Sequence, residues 1–591
     1  MTAAADSGGV RAAPQVSWVR ELAGALLVYL MLAFLFTSKA WQDPTNTWIG
    51  RCCDPQQFMW FMAWPATALE MGQNPLLTDR LNAPDGANLM WNAAMPLLGL
   101  VFSPLTHGVG PILAYNIAVL AGIAFSGLAC FAALRRYTDR PLGPLVGGAL
   151  YAFSPFVVSH TALHLNMVHV WAPPLFLILL DEIAVRRRHR PEVLGALLGI
   201  VGAIQLLTFE ELLATSALAG LLLVLVMAIV VYERGPIFES TRRLLRAVIP
   251  GVATFLLIGG LPLAVQFFGP QQLHGQVQPP AVFSTDLLNI IVPTDYTLIA
   301  PDQAQVLSDE FSGLHHEATG YIGLPMLLVL AWIVFELRRD RRVTVAALMG
   351  IILLALSLGP DVFVGTERWR VFTPWEPIGS QPLIEHALPG RITLYMWLAI
   401  PVMLAIAIDR ATTLRRRAGG VRLAAIGLAL VFLLPAPAAS SDSPIPQFFD
   451  TWEEQGIADH EVVLIAPWFT NGAGADPMLW TAYAKARPRM YEGYIYVPGD
   501  EGKPQYGPSP GRLARLMMDV QDHGTRPVLT ADDRAGAIKE LTDVGVSVVI
   551  IGPLRYRTEM IELFTNLLGR PPLEVDGVQL WRDVQASIAA G

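Results

Sequence analysis

Long apolar runs separated by short polar loops fill most of residues 19–438, and then the pattern stops. Runs near 19–36, 111–134, 143–159, 166–184, 192–208, 212–232, 245–267, 320–337, 343–359, 391–409 and 421–438 each approach or reach bilayer-spanning length. They predict about eleven transmembrane helices. The first run is too long for a signal-peptide core and reads as a retained anchor. Residues 91–106 are also apolar, but short and interrupted by Pro96 and Pro104. As a full crossing they would invert every later loop, so a re-entrant or interfacial segment is expected there. Residues 1–18 are small, polar and Pro-containing, the pattern of a disordered tail.

Arginine placement tests this topology. With the N-terminus in the cytoplasm, Arg135/Arg136/Arg140, Arg186/Arg187/Arg188/Arg190, Arg242/Arg243, Arg338/Arg339/Arg341/Arg342 and Arg415/Arg416/Arg417 all fall on the cytoplasmic side. The loops at 39–110, 160–165, 268–319 and 360–390, and everything after 438, then face outward. A Ser/Pro-rich linker is expected at 439–450 and an extracytoplasmic α/β domain at 451–591. In that domain 461–465 and 546–551 read as buried strands, and 573–575 with 578–581 as a hairpin around Asp576-Gly577. Helical periodicity appears at 511–522, 531–543 and 557–568. No Gly-rich nucleotide fingerprint accompanies these strands. The fold class is therefore a polytopic α-helical membrane protein with a C-terminal soluble α/β domain.

Composition agrees. Of 591 residues, 53% are hydrophobic and 15% charged, with a net charge of −8, so the expected partner is the lipid bilayer of the cytoplasmic membrane and not nucleic acid. Three cysteines give neither a disulfide framework nor metal-ligand spacing, and adjacent Cys52 and Cys53 are free or bridged.

The chemistry is expected in residues 41–85, which carry Asp43, Asp54, Glu70, Asp79 and Asp85 among Trp48, Trp60 and Trp64. Asp54-Pro55-Gln56-Gln57 reads as a helix start with Asp54 as N-cap. The helix that follows is expected to lie at the headgroup level, with Trp60 and Trp64 one turn apart and a bend at Pro65. Asp54 is a candidate general base and also a plain cap; Asp43-Pro44 has the same local chemistry and competes with it. Asp85-Gly86 marks a turn between Asn82 and Asn88. Glu210 and Glu211 stand at the outer membrane boundary, where carboxylates are costly, and read equally as a solvated turn or a substrate or metal contact. His160 and His164 have i, i+4 spacing, for which hydrogen bonding is favoured over metal ligation. His169 and the group His315, His316 and Glu317 lie near outer helix ends. Arg391 stands alone at the outer entry of a helix, where it can hold a lipid phosphate or snorkel to headgroups.

The run from Asp54 to Trp60, with Asn74-Pro75, Ala83-Pro84-Asp85-Gly86 and Phe209-Glu210-Glu211, resembles a group of largely actinobacterial integral membrane proteins described as glycosyltransferases. The whole plan resembles the GT-C superfamily, in which a first outer loop with acidic residues precedes an interfacial helix. The separation of Asp43 from Asp54 departs from the adjacent acids or Asp-x-Asp common in that loop, and it leaves open the base and any divalent cation. The resemblance implies inverting transfer of a sugar from a polyprenyl-phosphate donor to a cell-envelope glycan or lipid acceptor on the outer face. In that reading Asp54 or Asp43 is the base, Arg391 meets the leaving phosphate, and Glu210, Glu211, His164, Trp60 and Asp85 contact substrate. A flippase of lipid-linked precursors and a non-catalytic assembly protein are the rival readings; the first predicts mid-membrane charges and repeat symmetry.

Overall fold

The computed structural model describes residues 15–230, 234–470, 473–526 and 528–590. A helix lies under each of the eleven apolar runs. Seven helices among the described residues are long and apolar enough to cross a membrane: Trp18–Phe36, Pro111–Leu134, Leu142–His160, Leu165–Arg186, Glu210–Val230, Phe238–Phe268 and Pro389–Ala411. The helices Pro191–Leu206, Leu324–Glu336, Arg341–Ser357 and Arg416–Val431, under the other four runs, are shorter. The chain is a multi-pass membrane protein. The first helix begins at Gln15, inside the stretch expected to be disordered, and residues 1–14 of that stretch lie outside the described residues.

Small residues set the tightest crossing. A Cβ on Gly195 would collide with the Ala247 carbonyl, and one on Gly199 with the Gly251 carbonyl, so Pro191–Leu206 and Arg234–Phe268 run backbone to backbone. Such approach is the usual route to helix association where lipid tails compete equally for apolar side chains.

The loops sort to two ends. At one end Arg136 pairs with Asp181 and Glu182, Arg135 with Glu21, and Arg410 with Asp340. At the other, Arg51 meets Asp295, Asp286 accepts from Gly365 N, and Gly50 N donates to Ala439 O. The helix Pro96–Val109 belongs to this second end throughout: Leu97 N donates to Leu207 O near its start, and Gly110 after its end lies against Tyr483 of the C-terminal domain. Both of its ends lie at this end of the bundle, the placement expected of a re-entrant or interfacial segment.

Two expectations fail at the junction of bundle and domain. The Ser/Pro-rich stretch is not a loose linker: Ser440–Asp442 pairs antiparallel with Thr47–Ile49, and the following Phe448 and Phe449 are fully buried. Its polar side chains describe one edge, while its backbone is tied to the first loop. The helix Asp54–Glu70 is not at a headgroup surface either. It runs unbroken through Pro65 and is buried along most of its length, with Trp60 and Trp64 stacked at 5.6 Å. Gly99 leaves room for the Pro65 ring and for the Phe61 carbonyl that a proline cannot bond. Aromatic residues flanking an apolar segment look the same whether lipid or protein covers them.

The C-terminal domain has a five-stranded mixed sheet in the order Leu573–Val575, Val578–Trp581, Val546–Ile551, Val462–Ala466, Arg489–Met490. Its two central strands are parallel and read as unbroken apolar runs, because both faces are covered. The hairpin turns on Asp576 and Gly577 at φ 44° and 91°, and Thr530 and Asp533 form a capping box at the start of Ala531–Val544. The domain is bound to the bundle by specific hydrogen bonds: Gln56 Nε2 to Asp476 Oδ1 (2.9 Å), Thr67 Oγ1 to Lys485 O (2.6 Å), and Arg80 Nη1 to Asp459 O (2.6 Å).

Candidate functional site

Where bundle and domain meet, a cavity of about 1570 Å³ opens. Along the helices Pro191–Leu206, Glu210–Val230 and Arg234–Phe268 its walls are apolar, with Leu198, Gly202, Leu213, Leu221 and Phe255 facing it. At the domain end the walls turn polar and carry Asp54, His164, Glu210, Glu211, His316, Glu317, Arg391 and three tyrosines, Tyr494, Tyr496 and Tyr506. Cys52 and Cys53 also line this end and are joined in a disulfide, the bridged one of the two alternatives the sequence left open.

Asp54 is the first residue of its helix and not the cap. Cys53 holds the N-cap position and makes no side-chain cap bond. The Asp54 carboxylate turns into the cavity instead, accepting from Tyr494 Oη at 2.7 Å and lying 3.0 Å from His164 Nε2. Burial opposes its charge, but the hydrogen bond and charge of His164 and the Tyr494 hydroxyl outweigh it and hold the carboxyl below the ordinary carboxylate value. His164 follows the short helix Pro155–His160 by one turn, so its Nδ1 comes to 3.0 Å from His160 Nδ1. The other ring nitrogen of His160, Nε2, faces Glu317. That atom is buried without a hydrogen-bond partner, 3.7 Å from Glu317 Oε2.

Glu317 and Glu211 share Arg391. The guanidinium lies 2.6 Å from Glu317 Oε1 and 2.5 Å from Glu211 Oε2, and Glu211 Oε1 accepts from Leu388 N at 2.9 Å. Burial works against the Glu317 charge, and Arg391 more than compensates, so its carboxyl sits well below the ordinary range. Burial and the His164 charge pull His316 down to about 4, and its ring centroid lies 4.9 Å from that of His164. The result is one connected chain of groups: Tyr494, Asp54, His164, His160, Glu317, Arg391, Glu211.

Several expectations change here. Arg391 neither snorkels nor stands free for a phosphate; its guanidinium is committed to two carboxylates. Asp43 is exposed and closes its own turn by accepting from Asn46 Nδ2 at 3.0 Å, away from the cavity. Asp85 is exposed in the turn that Asn82 Nδ2 closes on Gly86 O at 2.8 Å. Trp60 is buried against Trp64 and does not reach the cavity. Asp54, His164, Glu210, Glu211 and Arg391 are brought together. The sequence paired His160 with His164 by spacing and expected a hydrogen bond there, as found, but it placed His316 and Glu317 only at a loop end, because their partners lie far away in the chain. The three tyrosines were missed altogether; their signal was an aromatic rhythm, Tyr494, Tyr496 and Tyr506, in an otherwise polar stretch.

His160, His164 and Glu317 each offer a ligand atom, all within 4.8 Å of one another. The orphaned His160 nitrogen facing a carboxylate is the arrangement a divalent cation would satisfy.

A family model described as a domain of unknown function, DUF6311, matches residues 25–434. The chain belongs to that family. No curated protein matches this DUF6311 chain. Among solved structures it is similar to the arabinofuranosyltransferase AftD from Mycobacteria, at 15% identity over 97% of this chain and 40% of that one, with a TM-score of 0.55. It is also similar to the oligosaccharyltransferase of Archaeoglobus fulgidus tethered with an acceptor peptide, at 13% identity over 90% of this chain and 69% of that one, with a TM-score of 0.50. The chain thus spans two fifths of the length of AftD. These likenesses give it the GT-C fold.

Proposed function

We propose that this DUF6311 chain is a membrane glycosyltransferase that moves a sugar from a polyprenyl-phosphate donor to a cell-envelope glycan or lipid on the outer face of the cytoplasmic membrane. The observation that carries the reading is the position of Asp54: an ionised carboxylate, oriented by His164 and Tyr494, where an apolar trough meets a polar, aromatic chamber. A polyprenyl chain fits the apolar trough lined by Pro191–Leu206, Glu210–Val230 and Arg234–Phe268, which leaves its phosphate and sugar at the polar end.

In the reaction an acceptor hydroxyl attacks the anomeric carbon while the bond from that carbon to the lipid phosphate breaks and its electron pair leaves with the phosphate. The proton goes to Asp54. Each Asp54 oxygen keeps a second lone pair for the incoming hydroxyl while Tyr494 and His164 hold the carboxylate in place. A carboxyl kept below its ordinary value is a weak base, suited to taking the proton late, as the new C–O bond forms. A divalent cation held by His160, His164 and Glu317 would supply positive charge for the departing phosphate. Glu211 and Glu317 are fixed by Arg391, which ties three separate segments into one wall.

The test is sugar transfer by purified protein in lipid bilayers, from a panel of polyprenyl-phosphate sugars to envelope glycans. Asp54→Asn is expected to lower kcat by about 10²–10⁴-fold, and Asp43→Asn to leave it within about twofold, as for a surface change distant from the chemistry. Loss in Asp43→Asn alone would move the base. No transfer from any donor, together with movement of a labelled lipid-linked sugar across the bilayer, would replace the enzyme with a flippase.

A further inference from the structure

The tyrosines at the polar end come from the C-terminal domain and form a continuous surface. Tyr496 and Tyr506 are cross-strand partners in the two-stranded ribbon Tyr496–Pro498 and Pro504–Tyr506, and their rings stack at 4.3 Å. Tyr494 packs on Phe469 at 3.9 Å and meets Tyr506 at 5.3 Å. The edge of this surface is polar: Gln278 Nε2 donates to Tyr496 Oη at 2.8 Å, the Tyr496 and Tyr506 hydroxyls bond each other, and Tyr494 Oη donates to Asp54. The bundle fixes the ribbon from behind, with Asn92 Oδ1 accepting from Tyr496 N at 2.7 Å and Asn92 Nδ2 donating to Tyr496 O at 3.0 Å. Tyr506 remains 36% exposed toward the opening.

We infer that this aromatic wall is the acceptor subsite and that its ligand is the non-reducing end of a neutral glycan. Sugar rings present a face of C–H groups and an equator of hydroxyls. A row of tyrosine rings covers the first, while phenol hydroxyls and a carboxamide at the rim meet the second. No cationic side chain belongs to the wall, so it offers nothing specific to an anionic group. A peptide would want separate pockets for alternate side chains or a free strand edge, and the wall is instead a packed ring cluster whose Tyr506 ring is open to the cavity. A sugar ring set against the open Tyr506 ring lies beside Tyr494, whose hydroxyl reaches Asp54. Tyr494 is thus both wall and positioner of the base, and the acceptor must enter before or as Asp54 takes up its proton. The assignment of this ligand as acceptor rests on the glycosyltransferase reading; the binding of a neutral glycan does not.

The full-length protein in nanodiscs, without donor, is probed by saturation-transfer NMR against neutral di- to hexasaccharides of furanose and pyranose sugars. At least one is expected to receive saturation at its ring C–H protons from wild type and equally from Asp54→Asn. Tyr506→Ala and Tyr496→Ala are expected to weaken that binding about tenfold, the scale of one lost aromatic contact, and Tyr506→Phe to weaken it far less. In transfer assays Tyr506→Ala should raise the KM for acceptor and leave the KM for donor unchanged. Binding equal in wild type and both alanine variants, no binding by any saccharide, or displacement only by peptides would overturn the subsite. Transfer that survives with those variants unaltered would remove the wall and keep the enzyme, and saccharide binding at the wall without any transfer would do the reverse.

Discussion

The two ends of the helix bundle each hold a buried network of charges, and the contrast between them separates architecture from chemistry. At the arginine-rich end Arg136 bridges Asp181 and Glu182 at 2.7 Å each, Arg186 meets Asp181 at 2.9 Å, and Glu182 also accepts from Arg188 N at 2.8 Å. Two carboxylates face two guanidiniums, and neither carboxylate lines the cavity. At the domain end Glu211 and Glu317 share the single guanidinium of Arg391, Asp54 is held by His164 and Tyr494 with no guanidinium of its own, and the His160 Nε2 nitrogen has no partner. Burial does not tell the networks apart, since the Asp181, Glu182 and Glu317 side chains are 7%, 6% and 5% exposed. Charge balance and unused lone pairs do. A closed, neutral network holds helices together, whereas an open, anionic one is kept for something that arrives.

Removing the central arginine from each network sharpens this difference most. Arg391→Met leaves Glu211 and Glu317 buried as like charges and should cost about 3–5 kcal/mol of stability as well as sugar transfer. The triple variant Arg391→Met, Glu211→Gln, Glu317→Gln should recover most of the thermal stability and none of the activity. Recovery of both would mean that the domain-end network is only structural. Arg136→Met should cost less, about 1–3 kcal/mol, because Arg186 still holds Asp181. Its transfer rate per folded molecule should stay within about twofold, and a larger loss would erase the contrast between the two ends.

The orphaned nitrogen gives a smaller effect with a spectroscopic readout. Wild-type protein titrated with Mn²⁺ should bind one ion tightly enough to broaden its EPR signal, and His160→Gln should weaken that binding by about 10–100-fold. Arg136→Met should bind as wild type. Absence of Mn²⁺ binding in wild type would leave His160 as a purely hydrogen-bonding member of its network.

The sequence carried much of the fold and about half of the site, for identifiable reasons. Apolar run length and arginine alternation are one-dimensional signals, and both survive: a helix lies under every run, and the loops sort to two ends. The unbroken apolar run Val462 to Ala466 and the Asp576-Gly577 turn are equally local. Burial of Trp60 and Trp64 is not local, because protein and lipid reward the same side chains. Nor is the strand Ser440–Asp442, whose pairing partner lies almost 400 positions earlier. Asp54 was visible by its place in the first loop, but its partners Tyr494 and His164, and Glu317 beyond them, come from three other segments and acquire meaning only through distance. Asp43 and Asp54 looked alike in sequence, and a turn of three residues that satisfies one of them is what separates the two.

Acid stability should distinguish the two ends by the smallest but most graded effect. His316 has its folded value near 4 against an ordinary 6.5, so the unfolded chain binds more protons throughout that window. Stability must therefore fall as pH drops from 6.5 to about 4, with a slope approaching one proton per molecule from this residue alone. Asp54 and Glu317, both held below ordinary carboxyl values of 3.8 and 4.5, contribute stability at higher pH and lose it as the pH falls past those values. All three groups act with the same sign and in succession, the histidine first. Melting temperatures in detergent should decline in two stages for wild type, and His316→Gln should remove the stage between pH 6.5 and 4 while leaving the later one. Arg136→Met should lower the whole curve and keep both stages, since none of the three groups belongs to its network. A His316→Gln profile that keeps the first stage would mean that the imidazole takes up its proton without cost, and with that the domain-end network would lose its claim to be short of positive charge only by design of the site.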